Sequence, residues 1–191
     1  HRVSAGAGVA DHVREHDVLH ADGRHAGGDV AQRRFVVERL VEAISLVRRS
    51  HPDVALIVGG APDKHRSSVE RAVAEHRLGD AVRFLGKVPE DDLPGLLSSA
   101  AMFAFPSLYE GFGFPPLEAM SAGIPVVASA AGAVPEVVGD AAIVVPVGED
   151  LALADGLEQA IYDPAVREDL VARGHSRIVN YSWDSMTRGM L

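Results

Sequence analysis

The feature that most constrains this chain is a regular alternation, from residue 36 onward, of short apolar runs with stretches of helical periodicity. At 36–49, large aliphatic residues recur at helical spacing with charged residues between them, which predicts an amphipathic helix. The run at 54–58 is rich in β-branched residues and ends at Gly59-Gly60, which is typical of a buried strand. Further strands are predicted at 81–85, 102–105, 125–128 and 142–145, and further helices at 67–76, 90–98, 115–122, 151–162 and 165–179, with one more opening at Pro135-Glu136. Strands that alternate with helices predict an α/β domain with a doubly wound, parallel, Rossmann-like sheet.

Residues 1–35 lack this alternation. They hold five of the nine histidines, and Val18-Leu19-His20 is their only candidate for a strand. We therefore predict three parts: an irregular or non-native segment at 1–35, a Rossmann-like domain at 36–180 and a C-terminal tail at 181–191. Because the first residue is His1 rather than Met, we expect the chain to be a piece of a longer protein.

The composition excludes several classes of function. The net charge of −9 argues against a nucleic-acid partner, because neutralising phosphates requires clustered Lys and Arg. The absence of cysteine excludes disulfides and thiolate metal sites and fits a reducing compartment. No apolar run approaches the roughly 18 to 20 residues of a membrane-spanning helix, and the N-terminus has no signal pattern. We expect a cytoplasmic protein.

Three histidines in the first segment recur at intervals of four residues. On a helix, His12, His16 and His20 would present three imidazoles on one face to a metal ion. The segment has no apolar face that would hold such a helix in place, so a disordered arm is the better interpretation. We predict no metal site.

The most informative stretch is FPSLYEGFGFPPLEAM at 105–120, which follows a predicted strand and opens a predicted helix. Gly111 and Gly113 allow the backbone to approach a ligand closely, and the helix end that begins near Pro115 favours a diphosphate. Glu110 stands before that helix and Glu118 about one turn inside it, so both carboxylates can face one cleft. Carboxylates pair well with vicinal hydroxyls, which predicts contacts to a ribose and a hexose on either side of the anion.

This stretch resembles the signature of glycosyltransferase family four, the glycosyl transferases group 1, in which two glutamates are separated by seven residues. The resemblance extends over about 150 residues. It includes VRFLGKV at 82–88, EAMSAGIPVVA at 118–128, PEVVGD at 135–140 and YSW at 181–183. It implies a GT-B fold, in which two Rossmann-like domains face each other across a cleft, and the chain is similar to the C-terminal, donor-binding domain. It also implies transfer with retention at the anomeric carbon and no metal or other cofactor.

By this resemblance, Glu110 would be the catalytic residue that contacts the donor sugar, and Glu118 would contact the ribose hydroxyls. The other implied donor contacts are the backbone amides of Phe112, Gly113 and Phe114, which receive donor oxygens, and the backbone near Lys87 and Val88, which meets the base.

The chain departs from the family pattern before the first helix, where members carry an Arg and a Lys that reach the diphosphate. Here Phe35 takes the position of the Lys, and Asp29 lies near that of the Arg. Arg33 and Arg34 are the cations nearby, and Arg34 is the candidate for the donor site.

The expected function is transfer of a hexose from a nucleotide-sugar donor of GDP-mannose or UDP-glucose type to an unknown acceptor. The segment 114–117 resembles mannosyltransferase members and favours GDP-mannose. The acceptor would be bound by an N-terminal domain absent from this chain, which could also contact a membrane surface, so the chain alone is expected to be inactive. The alternatives are a non-catalytic module that binds a nucleotide or nucleotide-sugar, and an inactive fragment.

Overall fold

The chain forms a six-stranded parallel sheet with helices on both faces. The computed structural model describes residues 17–21, 30–60, 66–108 and 114–181, with side chains at 17–18 and, in those ranges, from 36 onward. The strands are β1 (Asp17–Ala21), β2 (Ala55–Gly59), β3 (Val82–Gly86), β4 (Met102–Phe105), β5 (Val126–Ser129) and β6 (Ile143–Val145). The helices are α1 (Val30–Val47), α2 (Arg66–Glu75), α3 (Leu93–Ser99), α4 (Phe114–Ser121), α5 (Val134–Val138), α6 (Asp150–Tyr162) and α7 (Pro164–Ile178), with 3₁₀ turns at Glu90–Asp92 and Val179–Tyr181.

The strand order β3-β2-β1-β4-β5-β6, with every pairing parallel, confirms the predicted doubly wound sheet. Helices α1, α2 and α6 cover one face, and α3, α4, α5 and α7 cover the other. Strands β2, β4 and β5 are buried along their whole length, because helices cover them on both sides. This explains why they are continuous apolar runs rather than alternating ones.

The structure differs from the predicted irregular segment at 1–35 in two places. Strand β1 lies in the middle of the sheet, paired with β2 on one side and β4 on the other, and α1 begins at Val30 rather than 36. The short strand does not read as an apolar run because its first residue is Asp17. This residue is fully buried, and its carboxylate lies 3.6 Å from the Arg83 guanidinium. Residues 1–16 and 182–191 lie outside the described residues. They include His12, His16 and most of the predicted tail. The side chain of His20 is not described either. The histidine cluster and the domain boundaries stay predictions.

A second difference concerns the predicted helix at 90–98, which is divided into a 3₁₀ turn and α3. Pro94 lies in the first turn of α3. Proline lacks an N–H and is tolerated only where a helix begins, so the α-helix starts at Leu93 and the acidic residues before it form a separate turn. The remaining predicted boundaries fall within two residues of the observed ones, apart from α1.

Helix α7 ties several elements of its face together. Asp163 caps its N-terminus by accepting from the amides of Ala165 and Val166, at 3.0 and 3.1 Å. Arg167 donates to the carbonyl of Ala101, immediately before β4. Near the other end, Arg177 donates to the carbonyls of Val137, at 2.8 Å, and Glu136 in α5. The helix is thereby fixed to the sheet at one end and to α5 at the other.

A cluster of four polar side chains joins the loop before β2 to the end of α6, at the sheet edge where the strands begin. The rings of His51 and Tyr162 stack with centroids 3.6 Å apart, and His51 Nε2 lies 2.8 Å from Glu158 Oε1. The Tyr162 hydroxyl donates to Asp53 Oδ1 at 3.1 Å. Burial, the hydrogen bond to Asp53 and the negative charges of Asp53 and Glu158 raise the pKa of Tyr162 to about 12.

We expect this phenol to make stability fall at high pH. Between pH 10 and 12 the unfolded chain releases the Tyr162 proton before the folded chain does, so the folded state binds more protons and loses stability as the pH rises. Tyr162→Phe should remove this part of the loss. Thermal unfolding of both proteins from pH 8 to 12 checks it: the difference in midpoint should be constant up to about pH 9 and shrink above pH 10. A difference that stays constant to pH 12 would contradict the assignment.

No helix in the described ranges has the length and hydropathy needed to cross a membrane.

Candidate functional site

The candidate site lies at the edge of the sheet where the strands end. Strands β1 and β4 are neighbours at its centre, and from them the chain proceeds in opposite directions, from β1 towards β2 and β3 and from β4 towards β5 and β6. Such a reversal opens a crevice between the loops that follow the two strands, and ligands of doubly wound sheets bind there. These loops include 22–29 and 109–113, which lie outside the described residues together with Glu110, Phe112 and Gly113. The roles predicted for those three residues stay predictions.

Helix α4 carries the described part of the glutamate motif to this edge. Its inward face is formed by Pro116, Leu117, Ala119 and Met120, which are buried against the sheet and α7. Phe114 and Glu118, four residues apart and therefore on one side of the helix, are both exposed. The spacing of the motif thus places the Glu118 carboxylate outward, within the first two turns of a helix that starts at the crevice.

The first turn of α4 offers fewer amide donors than a helix usually does. Pro115 and Pro116 have no N–H, so Phe114 and Leu117 supply the only amides among its first four residues. The aligned peptide dipoles remain, and they still favour an anion at this end. Within this turn, an anion could therefore receive hydrogen bonds from the amides of Phe114 and Leu117 alone.

The other end of α4 is fixed by its backbone. The amide of Ile124 donates to the carbonyl of Ala119 at 3.3 Å, and the amide of Gly123 donates to that of Met120 at 3.1 Å. These two bonds and the positive φ of Gly123, 77°, form a Schellman motif. Ile124 and Ala119 are both buried, which supplies the apolar contact that accompanies the motif. The helix that carries Glu118 is held at a defined end point.

The turn after β3 lies on the same edge. Gly86 has φ of 71° and its carbonyl accepts from the amide of Gly60 at 2.8 Å, which joins the turns that follow β3 and β2. The register between the two strands shifts by one residue at this point, because Val58 pairs with Phe84 but Gly59 pairs with Gly86. Beyond it, Lys87 is exposed, whereas Val88 packs on the apolar cluster beneath α3 and α4.

The structure thus brings Lys87, Val88, Phe114 and Glu118 to one edge of the sheet. Two strands, β2 and β1, separate β3 from β4, so at the usual spacing their ends lie about 14 Å apart. Contacts at that separation suit an extended ligand rather than a compact one. Arg34 lies near the start of α1, which follows β1 across the crevice, and its side chain is not described. Within the described ranges, no three His, Asp or Glu side chains form a group that could hold a metal ion.

Sequence reasoning missed two contacts that shape this edge. One is the bond between Gly60 and Gly86, for which the glycines at both strand ends were the available signal. The other is the ion pair of Arg39 in α1 with Asp150 at the start of α6, at 3.0 Å. The guanidinium lies against the turn at Gly148, where a Cβ atom would come within 3.6 Å of it. No local pattern predicts this pair, because its partners are far apart in the sequence.

Comparison with known proteins extends these observations. A family model described as glycosyl transferases group 1 matches residues 33–177. The chain is 45% identical over 106 residues to O-antigen chain mannosyltransferase B of Escherichia coli, which covers 56% of this chain and 28% of that protein. It is 36% identical over 161 residues to the MMP alpha-(1->4)-mannosyltransferase of Mycolicibacterium hassiacum, covering 82% of this chain and 36% of the relative.

A similar fold occurs in the solved structure of sucrose-phosphate synthase from Thermosynechococcus elongatus. The TM-score is 0.79 at 28% identity, and the match covers 98% of this chain and 47% of the synthase. The chain therefore spans less than half the length of each of these proteins. The matched family region contains every described residue of the candidate site.

Proposed function

Because this chain belongs to the glycosyl transferases group 1 family, we propose that it carries the donor site of an enzyme that transfers a hexose from a nucleotide-sugar with retention. The observation that carries the proposal is the exposed Glu118 in the second turn of α4, the helix that follows β4 at the carboxyl edge of the sheet. A carboxylate at this point accepts hydrogen bonds from a pair of hydroxyls, which both a ribose and a hexose provide.

In this proposal, the site holds the donor by its three chemical parts. Glu118 accepts from the ribose hydroxyls, the backbone near Lys87 and Val88 meets the base, and Glu110 contacts the hexose as the catalytic residue. The diphosphate lies at the start of α4, on the amides of Phe112, Gly113 and Phe114, with Arg34 as the nearby cation.

Transfer then depends on stabilising the diphosphate as it leaves. When the bond between the anomeric carbon and the diphosphate oxygen breaks, the electron pair stays on the diphosphate. The acceptor hydroxyl forms the new bond to the anomeric carbon, and its proton passes to the departing diphosphate oxygen. Preorganised amides and the helix dipole stabilise the charge that develops on the leaving group. The proposal requires neither a metal ion nor a covalent intermediate on the protein.

For the donor we favour GDP-mannose over UDP-glucose. Two of the relatives compared above are named mannosyltransferases, and the segment 114–117 resembles members of that kind. The acceptor would be bound by a second domain that faces the carboxyl edge of the sheet, as the length of the relatives allows. By itself, the Rossmann-like domain should bind donor without transferring the sugar.

Calorimetric titration with GDP, UDP, ADP and their sugar conjugates tests the proposal. We expect one nucleoside diphosphate to bind, GDP in preference to the others, and its affinity to be the same with and without EDTA, because no metal takes part. If the folded chain binds none of them, the donor site is refuted, and the remaining interpretation is an inactive domain. Binding that disappears with EDTA would refute the metal-free mechanism alone.

A further inference from the structure

Helix α7 approaches α4 through a glycine. Gly174 is buried in α7, and a Cβ atom built on it would lie 3.2 Å from Cγ and 3.3 Å from Cβ of Met120. Real Cβ atoms rarely come this close to another atom. The two helices can therefore pack at this distance only because residue 174 has no side chain.

The neighbouring residue reaches the end of α4. Nε2 of His175 lies 3.4 Å from the position that a Cβ atom of Gly123 would take, so the ring rests on the turn that closes α4. Consecutive residues of α7 thus contact the last turn of α4 and its terminating glycine. These contacts with α7 therefore help to fix the position of α4 on the sheet.

A displacement of α4 at this contact would be transmitted to Glu118. Met120 is 2% exposed and points to α7, whereas Glu118, two residues earlier, is exposed on the opposite side of the same eight-residue helix. A helix this short moves as one body. Helix α7 is bonded to the carbonyls of Ala101 and Val137 through Arg167 and Arg177, so α4 is the partner that would give way.

The geometry points to Gly174 as a positioning residue for the donor site, an inference that rests on the proposed function. Because residue 174 has no side chain, α4 can pack close to α7. This distance determines the positions of the Glu118 carboxylate and of the start of α4 relative to a bound nucleotide. A side chain at residue 174 would push Met120 outward by a few tenths of an ångström and misplace both.

The chain offers a matched control in Gly156 of α6. A Cβ atom there would lie 3.2 Å from Cγ2 of Ile143 and 3.2 Å from Cγ1 of Val127, so the space is equally tight, but the contact is with β5 and β6 on the other face of the sheet. Comparing Gly174→Ala with Gly156→Ala separates an effect on the site from an effect on the fold, provided that melting temperature and Kd for GDP and UDP are measured for each.

We expect Gly174→Ala to raise the Kd about threefold to tenfold, since small misplacements of binding groups weaken their contacts strongly, and Gly156→Ala to leave it at the wild-type value. An unchanged Kd in Gly174→Ala, or the same rise in both variants, would overturn the inference. If Gly174→Ala does not fold, Met120→Leu decides, because it conserves volume but branches at the atom that faces Gly174: a raised Kd supports the inference and an unchanged one refutes it. Wild-type protein that binds neither nucleotide would refute the proposed function and this inference together, whereas normal binding by wild type and variant refutes the inference alone.

Discussion

Replacing Glu118 by alanine is expected to weaken binding of the nucleotide roughly 10- to 100-fold, or about 1.5–3 kcal/mol, the usual worth of hydrogen bonds to a charged group. The Glu118 carboxylate is exposed on α4, so its removal takes away the acceptors proposed for the ribose hydroxyls without opening the core. Affinity should fall for the nucleoside diphosphate as well as for its sugar conjugate, because the ribose is common to both.

Glu168→Ala is the matched control for this experiment. Glu168 is also an exposed helical glutamate, but it lies in α7, away from the carboxyl edge of the sheet. We expect wild-type affinity for this variant and unchanged melting temperatures for both. If Glu118→Ala binds the nucleotide as tightly as Glu168→Ala does, the assignment of Glu118 to the donor site is wrong.

Replacing Phe103 by alanine should have the largest effect on the fold, lowering the free energy of unfolding by about 3–5 kcal/mol. Phe103 lies in β4 at the centre of the sheet, is 1% exposed and packs beside Phe105, with ring centroids 6.0 Å apart. Its removal leaves a cavity between β4 and the helices of that face, and the strands on either side prevent the site from collapsing. Urea denaturation measures the loss.

The comparison variant for Phe103 is Phe114→Ala, which removes the same atoms from a side chain that is 44% exposed. Its cost should be about 1 kcal/mol or less, because little apolar surface is returned to water. Equal losses in the two variants would show that β4 does not hold the central place that the sheet order gives it.

The sequence allowed most of the fold to be predicted, because five of the six strands are apolar runs that helices bury on one or both sides. Strand β1 was hard to identify for the opposite reason. It is paired on both sides, yet it begins with Asp17 and contains few large apolar residues, so its place depends on pairing with β2 and β4 rather than on its own pattern. The start of α1 was misplaced because residues 30–35 show no clear apolar stripe.

For the candidate site, the spacing of the motif was enough to predict that Glu118 lies on a helix behind a strand end. Contacts between distant residues could not be predicted in this way. Three such contacts join segments that only the folded sheet brings together. They are the hydrogen bond between Gly60 and Gly86, the ion pair of Arg39 with Asp150, and the packing of Met120 against Gly174. Local patterns do not encode such contacts, although the glycines mark where two of them are permitted.

Hydrogen exchange in the presence and absence of saturating GDP tests most directly that the carboxyl edge binds the nucleotide. We expect slower exchange of the amides of Lys87, Val88, Phe114 and Leu117, which lie on that edge, and unchanged exchange at 51–54 on the opposite edge. Unchanged exchange at those four amides, or protection confined to 51–54, would contradict it.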